Sequence, residues 1–189
     1  MAHPDAIIGL LEVSGVDNTG VSPELDTRKR RTESRLREQY AGFSRQQFLA
    51  LPVLAAYERY CKRFNKTYHV QLQVESLVLK GKSLPNVSPL VDANFIAEVE
   101  TFVLTAGHDV AKLHGAVCID VSRDGDQITQ MNGKTAAIRP GDMIMRDAGG
   151  VSCSVLYGQD NRSPISPATS HVLYVSYAPS GVDSEAVER

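Results

Sequence analysis

Apolar residues recur at helical spacing through the first half of the chain and at alternating spacing through the second. Residues 6 to 16 alternate weakly, carry Val13 and Val16, and read as a short strand closed by Gly15 and the turn residues Asp17 to Gly20. Ser22-Pro23-Glu24 combines a capping hydroxyl, a proline at the first helical position and an acid in the first turn. The helix it opens is predicted to run to about Tyr40 and end near Gly42. Its apolar content is thin (Leu25, Leu36, Tyr40), so most of it must face water or a partner. Ser44-Arg45-Gln46-Gln47 is a capping box. Behind it Phe48, Leu51, Leu54, Ala55, Tyr57 and Phe64 repeat at helical spacing as a core face, with Pro52 placed to divide the stretch in two. Val70, Val74, Leu77 and Val78 predict a helix from His69 to Lys80. Residues 81–86 form a loop, and Ser88-Pro89 opens a last helix reaching about Leu104.

After Gly107 the texture turns to β. Ala116 to Val121, Gln127 to Met131, Met143 to Arg146, Val151 to Leu156 and His171 to Tyr177 read as strands. Asp124-Gly125, Asn132-Gly133 and Arg139-Pro140-Gly141-Asp142 are the turns between them; the Asp-Gly and Asn-Gly pairs suit tight hairpins because those turns need positive φ. Helices first and a mostly antiparallel sheet second give an α+β fold, read as one domain with a helical part at about 22–104, a β-rich part at about 105–178 and a disordered tail over 180–189.

Charge divides along the same line. Arg28 to Lys82 holds 13 Lys/Arg against 4 Asp/Glu, whereas Val91 onward holds 7 against 13, within a chain of net charge -2. A basic first half suits a phosphate backbone; a pair of solvated helix faces fits the same counts. The N-terminus lacks a basic leader, and the apolar run Ala6 to Leu11 is too short to cross a bilayer, so a cytoplasmic location is the default. Cys61, Cys118 and Cys153 stand far apart and in odd number, which reads as free thiols rather than a disulfide framework. Common catalytic and cofactor signatures (GxxxxGK[ST], GxGxxG, HExxH, GxSxG) do not occur, and the histidines are scattered. Neither a metal nor a cofactor is expected. Cys153, in Val-Ser-Cys-Ser-Val, has no evident base beside it and reads as a buried strand residue.

Five segments in order carry a resemblance. Leu84-Pro85-Asn86-Val87-Ser88-Pro89-Leu90-Val91-Asp92 resembles an LPxxxPLVD element, and Gly107 to Gly115 a GxDxxKLxG element. Met131-Asn132-Gly133-Lys134 is similar to an LNGK hairpin, and Pro140 to Asp147 to a PGD turn running into an apolar strand. Gly158 to Ser166 resembles a GxDxRTxIT segment. Together they resemble the B3/B4 domain, the part of the bacterial phenylalanyl-tRNA synthetase beta subunit that edits mischarged tRNA; the likeness spans most of residues 24 to 178.

The resemblance implies a pocket that hydrolyses the ester of a wrongly attached amino acid, with aminoacylated tRNA as partner rather than DNA or a membrane. Such an ester is already activated, so a positioned water and donors to the developing oxyanion suffice without a strong nucleophile. The catalytic candidates are Asn94, His108 and Asp160. Asn94 could orient the water or be an ordinary helix polar residue. His108 could act as a base or cap helix carbonyls, and Asp160 could pair with Arg162 in a pocket or on the surface. Candidates for holding substrate are Glu75, Gly149, Gly158, Gln159 and Arg162; for RNA phosphates, Lys66, Lys80 and Lys82. The sequence departs from the family pattern at two places. Phe95 stands where the synthetase domain has an asparagine, one residue after Asn94, and Thr105-Ala106-Gly107-His108-Asp109 replaces an LHAFD stretch. The amino acid is therefore left open. A tRNA or amino-acid binding module without catalysis, and a hydrolase or sensor of a small aminoacyl compound, are the alternatives.

Overall fold

The computed structural model describes residues 3–189. β1 (Ile7–Ser14) is followed by α1 (Pro23–Gln39), α2 (Arg45–Leu49), α3 (Pro52–Lys62), α4 (His69–Val78) and α5 (Pro89–Thr101). Then come β2 (Thr105–Asp109), a 3-10 turn over Val110–Lys112, β3 (Cys118–Val121), β4 (Gln127–Thr129), β5 (Thr135–Ala137), β6 (Met143–Asp147), β7 (Gly150–Ser154), β8 (Gly158–Gln159), β9 (His171–Ala178) and α6 (Ser184–Glu188). The strands form three antiparallel sheets, ordered β1-β9-β2, β3-β6-β7-β8 and β4-β5. The α+β class expected from the hydrophobic pattern is the class observed.

Local signals place the helix starts. Ser22 Oγ accepts from Leu25 N at 3.3 Å, and the box at Ser44 is closed from both sides. Pro52 opens α3 rather than kinking a longer helix. Ser88 makes no side-chain cap; Asn18 Oδ1 accepts from Leu90 N instead, at 2.9 Å, so a residue 72 positions away supplies the missing partner.

Three expectations are corrected. The last helix stops at Thr101, because Phe102 enters the left-handed region (φ 61) and Thr101 Oγ1 takes up Val103 N. The chain then runs as strand β2, so His108 lies on a strand and does not end a helix. The tail expected to be disordered carries α6, anchored by buried Val182 and Ala186. Among the described residues no helix is long and apolar enough to cross a membrane.

The core lies where the helices meet β9. Tyr57 and Tyr68 stack with ring centroids 3.9 Å apart and planes 1° from parallel. Tyr57 Oη donates to Tyr177 O (2.6 Å) and accepts from Leu104 N (2.9 Å), while Tyr68 Oη donates to Phe102 O (2.9 Å). These bonds fix the link between α5 and β2 against α3, α4 and β9. Elsewhere the joints are buried carboxylates. Asp92 accepts from Lys29 Nζ at 2.7 Å and from Val87 N at 3.0 Å. Asp142 accepts from Tyr60 Oη at 2.5 Å, from Ser154 Oγ, and from Leu156 N at 3.3 Å. Asp147 takes a bidentate contact from Arg162 together with the amides of His114 and Gly149.

Candidate active site

The face of the β1-β9-β2 sheet turned toward α5 and α6 is lined by small and hydroxyl residues. Register brings Gly9, Ser176 and Thr105 into one row across the three strands, and Leu11, Tyr174 and Gly107 into the next row on the same face. α5 covers this face with Ala93, Asn94 and Ala97, and α6 with Ser184, Val187 and Glu188. Close approach depends on glycine: a Cβ on Gly9 would lie 2.8 Å from Val187 Cγ1, and one on Gly107 would lie 2.6 Å from Ile165 Cδ1 and 2.9 Å from the Tyr174 ring. The cavity left between sheet and helices holds about 550 Å³. That is ample for an amino-acid side chain, and the lining is mostly apolar with a few convergent polar groups, as in ligand sites generally.

Those polar groups are held from α5. Asn94 Nδ2 donates to Thr105 O at 3.0 Å, and Glu98 Oε1 accepts from Thr105 N at 3.0 Å. Side chains one helical turn apart thus take both backbone groups of a residue on the sheet edge. Thr105 Oγ1 lies 2.9 Å from Ser176 Oγ. Two hydroxyls have two hydrogens, and one is spent between them, so one remains to give to a ligand. Asn94 Oδ1 is buried and has no protein partner. An acceptor in that condition is costly unless a water or ligand donor meets it. Glu98 is fully buried, and burial pushes its carboxyl up to about 8.

His108, Gln159 and Asp160 gather elsewhere. Strand alternation sends His108 to the sheet face opposite Thr105, where it is 0% exposed. Its Nδ1 is 2.7 Å from Ser163 Oγ, which donates to Asp160 Oδ1 at 2.6 Å. Gln159 Nε2 donates to Gly107 O (2.8 Å). Desolvation pushes His108 down to about 4, with Asp160 opposing. This network packs the loop at Pro164 against β2 and does not open into the cavity. Arg162, beside it, is committed to Asp147 (2.6 Å) and Asp160 (3.3 Å), and Gly149 sits under its guanidinium. Gly158 supplies a positive φ (82°) at β8. Glu75 accepts from Gln71 and faces Arg45 at 3.3 Å on α4, away from the cavity. Lys66 stands over the Tyr157 ring (4.8 Å), whereas Lys80 and Lys82 follow the other end of α4, a helix about 15 Å long.

Of the residues singled out from the sequence, Asn94 alone lines the cavity. The geometry removes His108, Asp160 and Glu75 from contact with a ligand there. It adds Thr105, Ser176 and Tyr174 to the lining, and Glu98 behind Thr105, which no local motif marks: each becomes notable only through cross-strand register or the α5 clamp.

The B3/4 domain model matches residues 55–188, well over half of the chain. The chain belongs to the B3/4 domain family. A phenylalanine–tRNA ligase beta subunit from Anaeromyxobacter dehalogenans (strain 2CP-C) is 33% identical over 109 residues, covering 55% of this chain and 13% of that subunit. This B3/4 domain therefore spans a small fraction of that relative's length. The family match begins within α3, so most of the cavity (α5, β2, β9 and α6) lies inside it, while β1 lies outside.

Proposed function

We propose that this B3/4 domain is a trans-acting deacylase that hydrolyses the ester of a mischarged or non-protein amino acid on tRNA. The single observation that carries the reading is the cavity of about 550 Å³ into which Asn94, Thr105 and Ser176 bring polar groups side by side. Its apolar walls suit an amino-acid side chain. Asn94 Oδ1 accepts a hydrogen of the attacking water. The spare hydrogen of the Thr105–Ser176 pair points to the carbonyl oxygen as it gains charge. Water oxygen adds to the ester carbon, the bond from that carbon to the ribose oxygen breaks, the proton shed by the water ends on the ribose oxygen, and the free amino acid and tRNA depart. No protein nucleophile is needed, because the ester is activated at the outset. The likeness to a tRNA ligase subunit supports tRNA as the carrier.

One observation favours a second reading, a hydrolase or sensor of a small aminoacyl compound. The cations of α1 are largely spent inside the protein: Arg28 and Arg35 on Glu100, Lys29 on Asp92, and Arg30 and Arg37 on Glu33. That helix offers little charge to a phosphate backbone.

A panel of tRNAs charged with labelled non-cognate amino acids separates the two. Release of one amino acid, reduced at least about 100-fold in Asn94→Ala and in Thr105→Val, is the expected result. Cleavage of aminoacyl methyl esters with every charged tRNA left intact would transfer the assignment to the small-molecule reading. Inertness toward both kinds of ester would end the proposal.

A further inference from the structure

We propose that the carboxyl end of α3, together with the Arg139 turn, is a surface that holds an RNA phosphate backbone; the choice of RNA rests on the reading of the substrate above. Arg59, in the last turn of α3, and Arg63, the residue that caps its end, lie one turn apart, about 6 Å along the axis. Arg63 sits over Tyr60 (4.7 Å to the centroid) and Phe64 (5.3 Å). Lys66 sits over Tyr157 at 4.8 Å. Arg139, from the turn before β6, donates to Phe64 O and so joins the same spot.

Among the described residues no carboxylate lies within 4 Å of Arg59, Arg63, Lys66 or Arg139. Of the acids nearby, Glu58 is taken by Lys62 at 2.9 Å, and Asp142 is buried and taken by Tyr60 Oη, Ser154 Oγ and Leu156 N. This is the reverse of α1, where every cation but Arg31 meets an acid of α5 or of its own helix. A helix C-terminus attracts cations in its own right, which explains Arg59 and Arg63. It does not explain Lys66 or Arg139, which lie beyond the helix. Aromatic faces beneath the Arg63 guanidinium and the Lys66 ammonium hold these charges in place without neutralising them, so less side-chain freedom is lost when a phosphate arrives.

The surface also leads to the cavity. The Arg59 guanidinium occupies the space over Gly181, in the turn that enters α6, and α6 walls the cavity. A chain laid on Arg139, Lys66 and Arg63 and continued past Arg59 arrives at the helix that borders the candidate active site.

The test is binding of uncharged tRNA to the full chain across 50–200 mM salt, which is independent of hydrolysis. Wild type is expected to show a falling log–log plot. The Arg63→Ala/Lys66→Ala variant is expected to lose about 1 from the slope for each phosphate contact removed, and Arg63→Lys to keep it. Lys80→Ala/Lys82→Ala serves as the comparison at the other end of α4 and is expected to match wild type. An unchanged slope in the double variant, or no tRNA binding by wild type, overturns the proposal. Displacement of tRNA by polyglutamate at equal charge does so too, because it would mark a docking site for acidic protein. Intact binding with no deacylation of any charged tRNA would sink the active-site reading and leave this surface standing; the converse would sink the surface alone.

Discussion

Thr105 is gripped through its backbone by Asn94 and Glu98, and the second of these ties the site to pH. Glu98 binds its proton up to about pH 8 in the folded chain, against an ordinary value of 4.5. Between those values the folded state holds a proton that the unfolded state has lost, so this contribution to stability is whole below 4.5 and declines as pH rises to 8. His108 runs the other way: with its pKa moved from 6.5 to about 4, its contribution is whole above 6.5 and is lost as pH falls toward 4. The two oppose each other in mild acid. Urea unfolding at several pH values is expected to show a decline from pH 6.5 to 8 that Glu98→Gln lacks; parallel curves for the two proteins would refute it. Residues also explain what the sequence could and could not disclose. Asp92, Asp142, Asp147 and Asp160 were visible in recognisable segments, and all four turn out to fasten chain to chain. Glu98 was invisible, since an acid in a helix ordinarily signals a wet face. Thr105 and Ser176 were invisible because their meaning lies in register across 71 positions.

At the scale of elements, two joints decide how the helices meet the sheet. Lys29 reaches from α1 into a fully buried site, bonding Asp92 at 2.7 Å, Pro85 O at 2.9 Å, and Asn86. Lys29→Met would leave Pro85 O and the charged Asp92 Oδ2 unmet, Asn86 Oδ1 keeping Arg30, and is expected to cost about 3 kcal/mol or more by chemical denaturation. Arg28→Ala removes a pair on the surface of the same helix, 3.5 Å long with the arginine 65% exposed, and is expected to change stability by less than about 0.5 kcal/mol. Equal losses would mean that burial does not distinguish the two. The second joint is Gly107. Because Ile165 and Tyr174 already fill the space a methyl would need, Gly107→Ala is expected to cost about 1–3 kcal/mol and to displace Tyr174 in the cavity. The starts of α1, α2, α3 and α5 were readable because a cap, a proline or a glutamine stands beside each one. The end of α5 was not, since Phe102 adopts a left-handed backbone that few bulky residues accept and that only the surrounding core, through Tyr68, imposes.

For the molecule as a whole, the segregation of charge seen along the chain resolves into an internal and an external part. The basic first half meets the acidic second half across α1 and α5, whereas the cations at the end of α3 stay outward. Composition could count these charges but could not say which were already paired. The same distinction of inside from outside governs the thiols. Burial raises Cys61 and Cys153 to about 12, while Cys118 is exposed. The native protein is expected to react with one equivalent of a thiol reagent at neutral pH and with three after denaturation, read by absorbance of the released leaving group. Rapid modification of a second thiol in the native state would show that the core opens readily.

The cavity is bounded by β1 near one end of the sequence and by α6 near the other, with β9 between them pairing Ile7 to Ala178. On a ribosome the first strand therefore waits, its partner unmade, until nearly every other element has emerged. A translation product cut short before β9 has no sheet face on which to assemble Thr105, Ser176 and Gly9. Truncated copies would lack the cavity, and its appearance during synthesis would report that β9 and α6 had emerged.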